Sequence, residues 1–269
     1  MLVSGVGIVY AIRPGEIADT WMRRLLGIVF SIPLFIAPFQ YLRGRGISYI
    51  DRMAISHSDS DHIGGAATLL KHIQFDSMMG SLPSKNPLLE NLQQRGIPSI
   101  PCRYGQRWIW DGIEFVIWHP HETTVFSNQH SGKPNEMSCV LEVRNTQSSL
   151  WLTGDVEKQG ETKISERLSR KMLEEIGDRE LVFMVPHHGS KTSSSLGLLK
   201  QLDPDQAFAQ NGYRNRYGHP HPDVTARYKD LNIPFYQTPQ TGFQSWVFKN
   251  NAKSSTQFWR HDIKRLWHR

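Results

Sequence analysis

Four side chains able to bind a metal ion, His57, Asp59, Asp61 and His62, crowd the stretch Ile55-Ser-His57-Ser-Asp59-Ser-Asp61-His62-Ile-Gly-Gly65. Imidazole nitrogen and carboxylate oxygen together suit divalent first-row ions, and ligands must converge on one point. A regular strand would send His57 and His62 to opposite faces, so the chemistry requires a loop at a strand end. The flanking pattern supplies one: Ile50, Met53, Ala54 and Ile55 precede the motif, and a helix-like run of Ala66, Ala67, Leu69, Leu70 and Ile73 follows it. Three later stretches carry reactive groups after apolar runs. They are Leu152-Thr-Gly-Asp155, Val185-Pro-His187-His188-Gly-Ser190-Lys191-Thr, and Asn211-Gly-Tyr-Arg-Asn-Arg-Tyr-Gly-His219-Pro-His221-Pro. Loops at strand ends gather onto one edge of a layered fold, where sites are commonly built.

The elements that position these loops are a mixture of strands and helices. Helices are expected over 65–74, Lys85–Leu92, Glu161–Ile176, Leu196–Leu202 and Val224–Leu231. Apolar alternation around Asp111-Gly112 predicts a hairpin over 107–118. Ser138–Val143 and Ser149–Thr153 form a second strand pair, and Leu181–Val185, Gln206–Gln210 and Ser245–Lys249 are further strands. Such a mixture implies stacked helix and sheet layers.

Composition excludes several classes. Of 269 residues 39% are hydrophobic and 21% charged, which describes a globular chain rather than a disordered or fibrous one. The net charge of +6 fits an anionic partner, although much of it sits in the terminal stretch Arg260–Arg269. Two cysteines, Cys102 and Cys139, supply neither a framework of bridges nor a zinc-finger pattern. They read as buried small hydrophobes, leaving metal binding to His and Asp. Leu25–Leu42 runs without a charged side chain, just long enough to span a bilayer, but Pro33, Pro38 and Gln40 argue against a regular span. It reads as a partly buried segment, with a membrane or interfacial helix as the alternative.

The motif His57-Ser-Asp59-Ser-Asp61-His62 resembles the metal signature of the metallo-β-lactamase fold, with Asp59 where the second His commonly stands. With the Gly-Asp155, His187-His188-Gly-Ser and His219-Pro-His221 stretches, it is similar to the C-terminal domain of ComEC-type DNA-internalisation (competence) proteins. The likeness covers roughly 45–245. The family's opening strands, carrying Asp-Val-Gly-Gln-Gly and Asp-Thr-Gly, have no counterpart here.

The resemblance implies an α/β chain folded as a four-layer αββα sandwich with an atypical N-terminus. It divides as 1–44, a hydrolase domain over 45–250, and a basic tail over 251–269. It implies two divalent metal ions (Mn²⁺ or Zn²⁺, with Mg²⁺ a further candidate) held by His57, Asp59, Asp61, His62, Asp155 and His187. His187 is preferred to His188 as ligand; His188 or His219 would protonate the leaving oxygen, while Ser190, Lys191 and His221 contact phosphate. Asp59, Asp61 and Asp155 bring three negative charges against four positive charges from two such ions, a balance suited to hydrolysis of a phosphodiester. The implied activity is a metal-dependent nuclease or phosphodiesterase, with DNA as substrate and a competence membrane channel as partner or fused neighbour. Its place would be the membrane, through the DNA-uptake machinery. The rivals are hydrolysis of a small ester or phosphate on the same fold, and a remnant that binds without cleaving. Where the wider fold carries a further His, this chain has Asn135-Glu-Met-Ser138, and His119-Pro-His121 reads as a surface turn.

Overall fold

The computed structural model describes residues 26–28, 42–121, 133–249 and 252–262. Most of Leu25–Leu42, together with His130 and residues 263–269, lies outside them.

Strands β1 (Leu26–Ile28), β2 (Tyr49–Ile55), β3 (Gln74–Gly80) and β4 (Ser99–Pro101) form a parallel sheet in that order. Parallel neighbours need crossovers. Two of these are helical: α1 (Ser60–Ile63) with α2 (Ala66–His72), then α3 (Pro87–Gln94). Asn86 caps α3 by accepting from Leu88 N, with Pro87 at the first helical position, where its missing N–H costs nothing.

The second sheet has seven strands in the order β11-β10-β9-β8-β7-β6-β5. These are β5 (Arg107–Trp110), β6 (Ile113–His119), β7 (Val140–Arg144), β8 (Ser148–Leu152), β9 (Glu180–Met184), β10 (Gln206–Ala209) and β11 (Phe235–Gln237). Neighbours are antiparallel from β5 to β8 and parallel from β8 to β11. The expected hairpin is β5–β6, and Asp111 and Gly112 both take the positive φ that its two-residue turn demands. On the outer face lie α4 (Lys158–Ser165), α5 (Arg170–Gly177), α6 (Leu196–Leu202) and α7 (Pro222–Asp230). A short α8 (Thr238–Thr241) leads to the β12 (Gln244–Lys249) and β13 (Ala252–Phe258) pair and then α9 (Trp259–Asp262). Thus residues 252–258, at the start of the expected tail, are a strand.

The period of two along a strand sends alternate residues to different cores. Leu150 and Leu152 join Ala54, Met79, Phe115, Val182 and Phe208 between the sheets, while Trp151 faces outward to Phe183, Ile164 and Leu199 beneath the helices. A third cluster, including Met53, Leu69, Leu70 and Leu92, packs α2 and α3 on the first sheet. The result is helix, sheet, sheet, helix, as the sequence implied.

Two expectations are corrected. Glu161–Ile176 is two helices, because Ser169 caps a new start by accepting from Met172 N and the chain turns at Glu166–Leu168. Cys102 and Cys139 are joined in a disulfide, 5.8 Å between Cα atoms, that ties the end of β4 to the residue before β7 across the inter-sheet core. Arg52 of β2 spans the same space, its guanidinium 5.0 and 5.1 Å from the rings of Trp108 and Trp110.

Candidate metal centre

β2 ends at Ile55, and the next two residues turn inward. Ser56 and His57 are buried, and His62, presented by α1, is buried beside them with ring centroids 4.2 Å apart. Ser56 Oγ lies 3.0 Å from Nδ1 of both imidazoles. A hydroxyl can accept from one ring and donate to the other, or accept from both, so Ser56 ties the two imidazoles in place through Nδ1 and leaves both Nε2 atoms facing carboxylates. Ser138 Oγ adds a contact of 3.4 Å to His57 Nδ1 and accepts from Asp155 N at 3.1 Å.

Asp155 arrives from β8 through Thr153-Gly154. Gly154 has φ +54°, and a Cβ there would stand 2.7 Å from Ser56 Cβ, so the Thr-Gly-Asp turn closes against the first motif only with glycine. Asp155 Oδ1 lies 3.0 Å from His62 Nε2. Burial alone would raise this carboxyl, but the surrounding imidazoles, His62 foremost, hold it well below the usual range.

The third loop follows β9, and His187 and His188 both have positive φ, which throws their rings apart. His188 Nδ1 donates to the carbonyl of Gln210 at 2.6 Å, aiming Nε2 at Asp61 Oδ2 (3.4 Å) and Asp155 Oδ2 (3.6 Å). His187 turns toward Glu157 instead, with Nδ1 3.1 Å from Oε1, while its Nε2 is 3.8 Å from Asp155 Oδ2 and 3.3 Å from Asn135 Nδ2. The preference for His187 as ligand is therefore not what the geometry favours. Among the described residues, Asp61, His62, Asp155 and His188 are those whose ligand atoms lie within 4.8 Å of one another.

His57 and Asp59 stand beside this group, with Nε2 to Oδ2 at 3.6 Å. Buried Nε2 atoms of His57 and His188 make no hydrogen bond, although each faces carboxylate oxygen. Imidazole nitrogens placed this way beside three carboxylates fit divalent cations, which would displace any proton they carry. The protons reflect the same crowding. Burial depresses His62; for His188 burial acts in that direction too, but Asp155 and Asp61 outweigh it and lift the imidazole to about 9. Asp61, which burial would raise, is lowered by His188 and His62.

The remaining expected residues lie around the rim. His219 sits 5.7 Å from the His187 ring, its peptide bond to Pro220 cis. Burial and then the neighbouring His187 and His188 push it down to about 4, so it is neutral at pH 7. Ser190 is buried and spends its hydroxyl on Thr192 Oγ1. Lys191 reaches outward to Asp223 at 3.2 Å, and His221 caps α7 by accepting from Asp223 N. His119, read as part of a surface turn, is buried with Nδ1 2.8 Å from the carbonyl of Ser138. Ser56, Glu157 and Gln210 were not foreseen. Ser56 adjoins the motif and was within reach of sequence reasoning; the Gln210 contribution is a backbone carbonyl, which no residue type announces.

Comparison with known proteins agrees with this geometry. Residues 31–209 match the model of the metallo-β-lactamase superfamily. The chain is similar to "Recombination protein 2" of Haemophilus influenzae, 33% identical over 83% of this chain and 24% of that one. It also resembles "Competence protein ComA" of Neisseria gonorrhoeae, 30% identical over 75% of this chain and 26% of that one. It therefore spans about a quarter of the length of these curated relatives. Among solved structures, a CmlA β-hydroxylase mutant superposes with a TM-score of 0.51 at 12% identity, covering 88% of this chain and 51% of the other, a likeness of fold alone. The chain belongs to the metallo-β-lactamase superfamily, and its relatives include competence proteins of the ComEC type.

Proposed function

We propose that the chain is a two-metal phosphodiesterase that cuts DNA during uptake. The observation that carries this reading is the convergence of Asp61, His62, Asp155 and His188, joined by the unbonded Nε2 of His57 and the carboxylate of Asp59. His57 with Asp59 would hold one ion and Asp61, His62 and His188 the other, with Asp155 shared. Such ions supply Lewis acidity toward a phosphoryl oxygen and acidify water.

The chain's own residues do the rest. The Gln210 carbonyl holds His188 with its hydrogen on Nδ1, and Ser56 fixes the orientation of the His57 and His62 rings. His187, with Nδ1 against Glu157 and ring beside His219, is the group placed to pass a proton to the leaving oxygen. The depressed His219 is neutral at pH 7 and accepts rather than donates. DNA is the substrate implied by the competence relatives, and the rest of a longer uptake protein, or a separate channel subunit, is the partner. Among the described residues no helix is long and apolar enough to cross a membrane. The Cys102–Cys139 bridge fits an oxidising compartment, where disulfides persist.

The test is a nuclease assay on chain stripped of metal and reloaded with Mn²⁺ or Zn²⁺, with Asp61→Ala as control. Cleavage by the wild-type chain and its loss in the variant supports the reading. A fully loaded wild-type chain that leaves single- and double-stranded DNA intact, while hydrolysing a small ester, replaces it.

A further inference from the structure

Between β10 and α7 the chain makes a loop whose interior is fixed and whose tip is bare. Asn215 organises it: Oδ1 accepts from His219 N at 3.0 Å, while Nδ2 donates to the carbonyls of Gly212 and His219. Asn211, which is buried, donates to the His219 carbonyl and to Gln237 Oε1. The loop is tied to the metal centre at both ends, since Gln210 O holds His188 and His221 N donates to Gly189 O at 2.8 Å. This anchoring turns Tyr213, Arg214, Arg216 and Tyr217 outward. The two rings are 63% and 66% exposed, although tyrosine is a residue that folding usually covers. Each carries a guanidinium against its face, Arg214 at 5.2 Å from the Tyr213 centroid and Arg216 at 4.8 Å from that of Tyr217.

The alignment of these rings is the informative feature. Tyr217 stacks on His219, centroids 5.8 Å apart and planes 20° apart, and His219 neighbours His187 at 5.7 Å. A line of planar groups thus runs from the metal centre to the surface and ends on Tyr217 with Arg216 on its face, while Tyr213 with Arg214 stands in the same loop. Arginine forks match phosphate oxygens, and aromatic faces stack on bases, which are available only where a strand is unpaired. Resting on the nuclease reading, we infer that Tyr213, Arg214, Arg216 and Tyr217 form a ledge that grips single-stranded nucleic acid by base stacking and feeds its backbone to the centre. A duplex, with its bases hidden, gains only the arginine contacts.

Binding is measured by fluorescence anisotropy on the full metal-free chain, so that no cleavage intervenes. The probes are a labelled oligothymidylate, a strand of equal length built from tetrahydrofuran spacers that lack bases, and a duplex. Tyr213→Ala with Tyr217→Ala should weaken oligothymidylate binding about tenfold or more. The baseless strand and the duplex should bind the variant as they bind the wild type, and the double Tyr→Phe variant should retain wild-type affinity. An alanine variant that holds oligothymidylate as tightly as the wild type, or that loses all three probes alike, overturns the ledge. Cleavage of oligothymidylate by the Mn²⁺-loaded wild-type chain reports on the nuclease reading. If oligothymidylate is left intact while its binding still depends on the tyrosines, the nuclease reading falls and the ledge stands.

Discussion

The imidazole of His188 donates from Nδ1 to the backbone carbonyl of Gln210 at 2.6 Å. That bond decides between two adjacent histidines. It fixes the ring and leaves Nε2 facing Asp61 and Asp155, whereas Glu157 draws His187 aside. His188→Ala should therefore strip metal from the Asp61–His62 site, while His187→Ala should keep its metal and lose turnover. General acid catalysis contributes about 10²–10⁴-fold, which sets the scale of that loss. Metal content by elemental analysis, beside kcat, checks both; a His187→Ala chain short of one ion would reverse the assignment.

The stability of the metal-free protein should depend on pH in a way that metal reverses. His188 is raised from 6.5 to about 9 by Asp155 and Asp61 against burial, so its contribution is complete below pH 6.5 and fades as pH rises toward 9. His62, depressed by burial, works oppositely and withdraws stability as pH falls below 6.5. Asp155 and Asp61 are held below 3.8 and contribute above that value. Together these groups place the maximum for the metal-free chain near pH 6.5. A bound ion must displace the His188 proton, so its affinity rises over the same range in which the metal-free fold weakens. Melting curves with and without Mn²⁺ between pH 5 and 9, read as the gap between them, provide the test; a gap that narrows with rising pH contradicts it.

The candidate site was legible in the sequence to the extent that its proposed ligands are contiguous. His57, Asp59, Asp61 and His62 share one loop, and the Thr-Gly-Asp turn announces Asp155 through the glycine its tight approach to Ser56 demands. The different orientations of His187 and His188 were not legible, because two neighbours of one type differ only in backbone twist and in partners 22 and 30 residues away. The same limit hid the disulfide, whose halves lie 37 residues apart on different sheets. Gln74–Gly80 escaped as a strand because its residues follow a helix without a turn signal and carry two methionines. Its pairing to β2 is settled by tertiary contacts that propensity does not encode.

Metal choice should follow Asp59. It stands at the N-terminal end of α1 without making a capping bond, and its carboxylate lies 3.6 Å from His57 Nε2. Its removal therefore costs the helix little, and its oxygen hardens a site where the wider fold supplies nitrogen. The wild-type chain should be more active with Mn²⁺ than with Zn²⁺, and Asp59→His should narrow or invert that ratio with the melting temperature of the metal-free chain nearly unchanged. Activity with zinc and none with manganese in the wild type would sink the idea.

The last prediction concerns the bridge between the sheets. Cys102 and Cys139 close a segment of 37 residues, for which loop-closure entropy gives about 4 kcal/mol of stabilisation at 25 °C. The bridge also bears on the centre, because Cys139 N donates to Ser56 O at 2.8 Å and the preceding Ser138 contacts both His57 and Asp155 N. Cys102→Ala with Cys139→Ala should then lower the melting temperature by roughly 8–15 °C for a domain of this size. It should also weaken metal binding about tenfold, the scale seen when groups that orient ligands are removed. Reductant should reproduce both effects only once denaturant opens the core, since neither sulfur is exposed. Calorimetry and metal titration of the variant are the measurements. A variant that melts lower but binds metal like the wild type makes the bridge a staple for the sandwich with no part in holding the site, and one that melts at the wild-type temperature removes both roles.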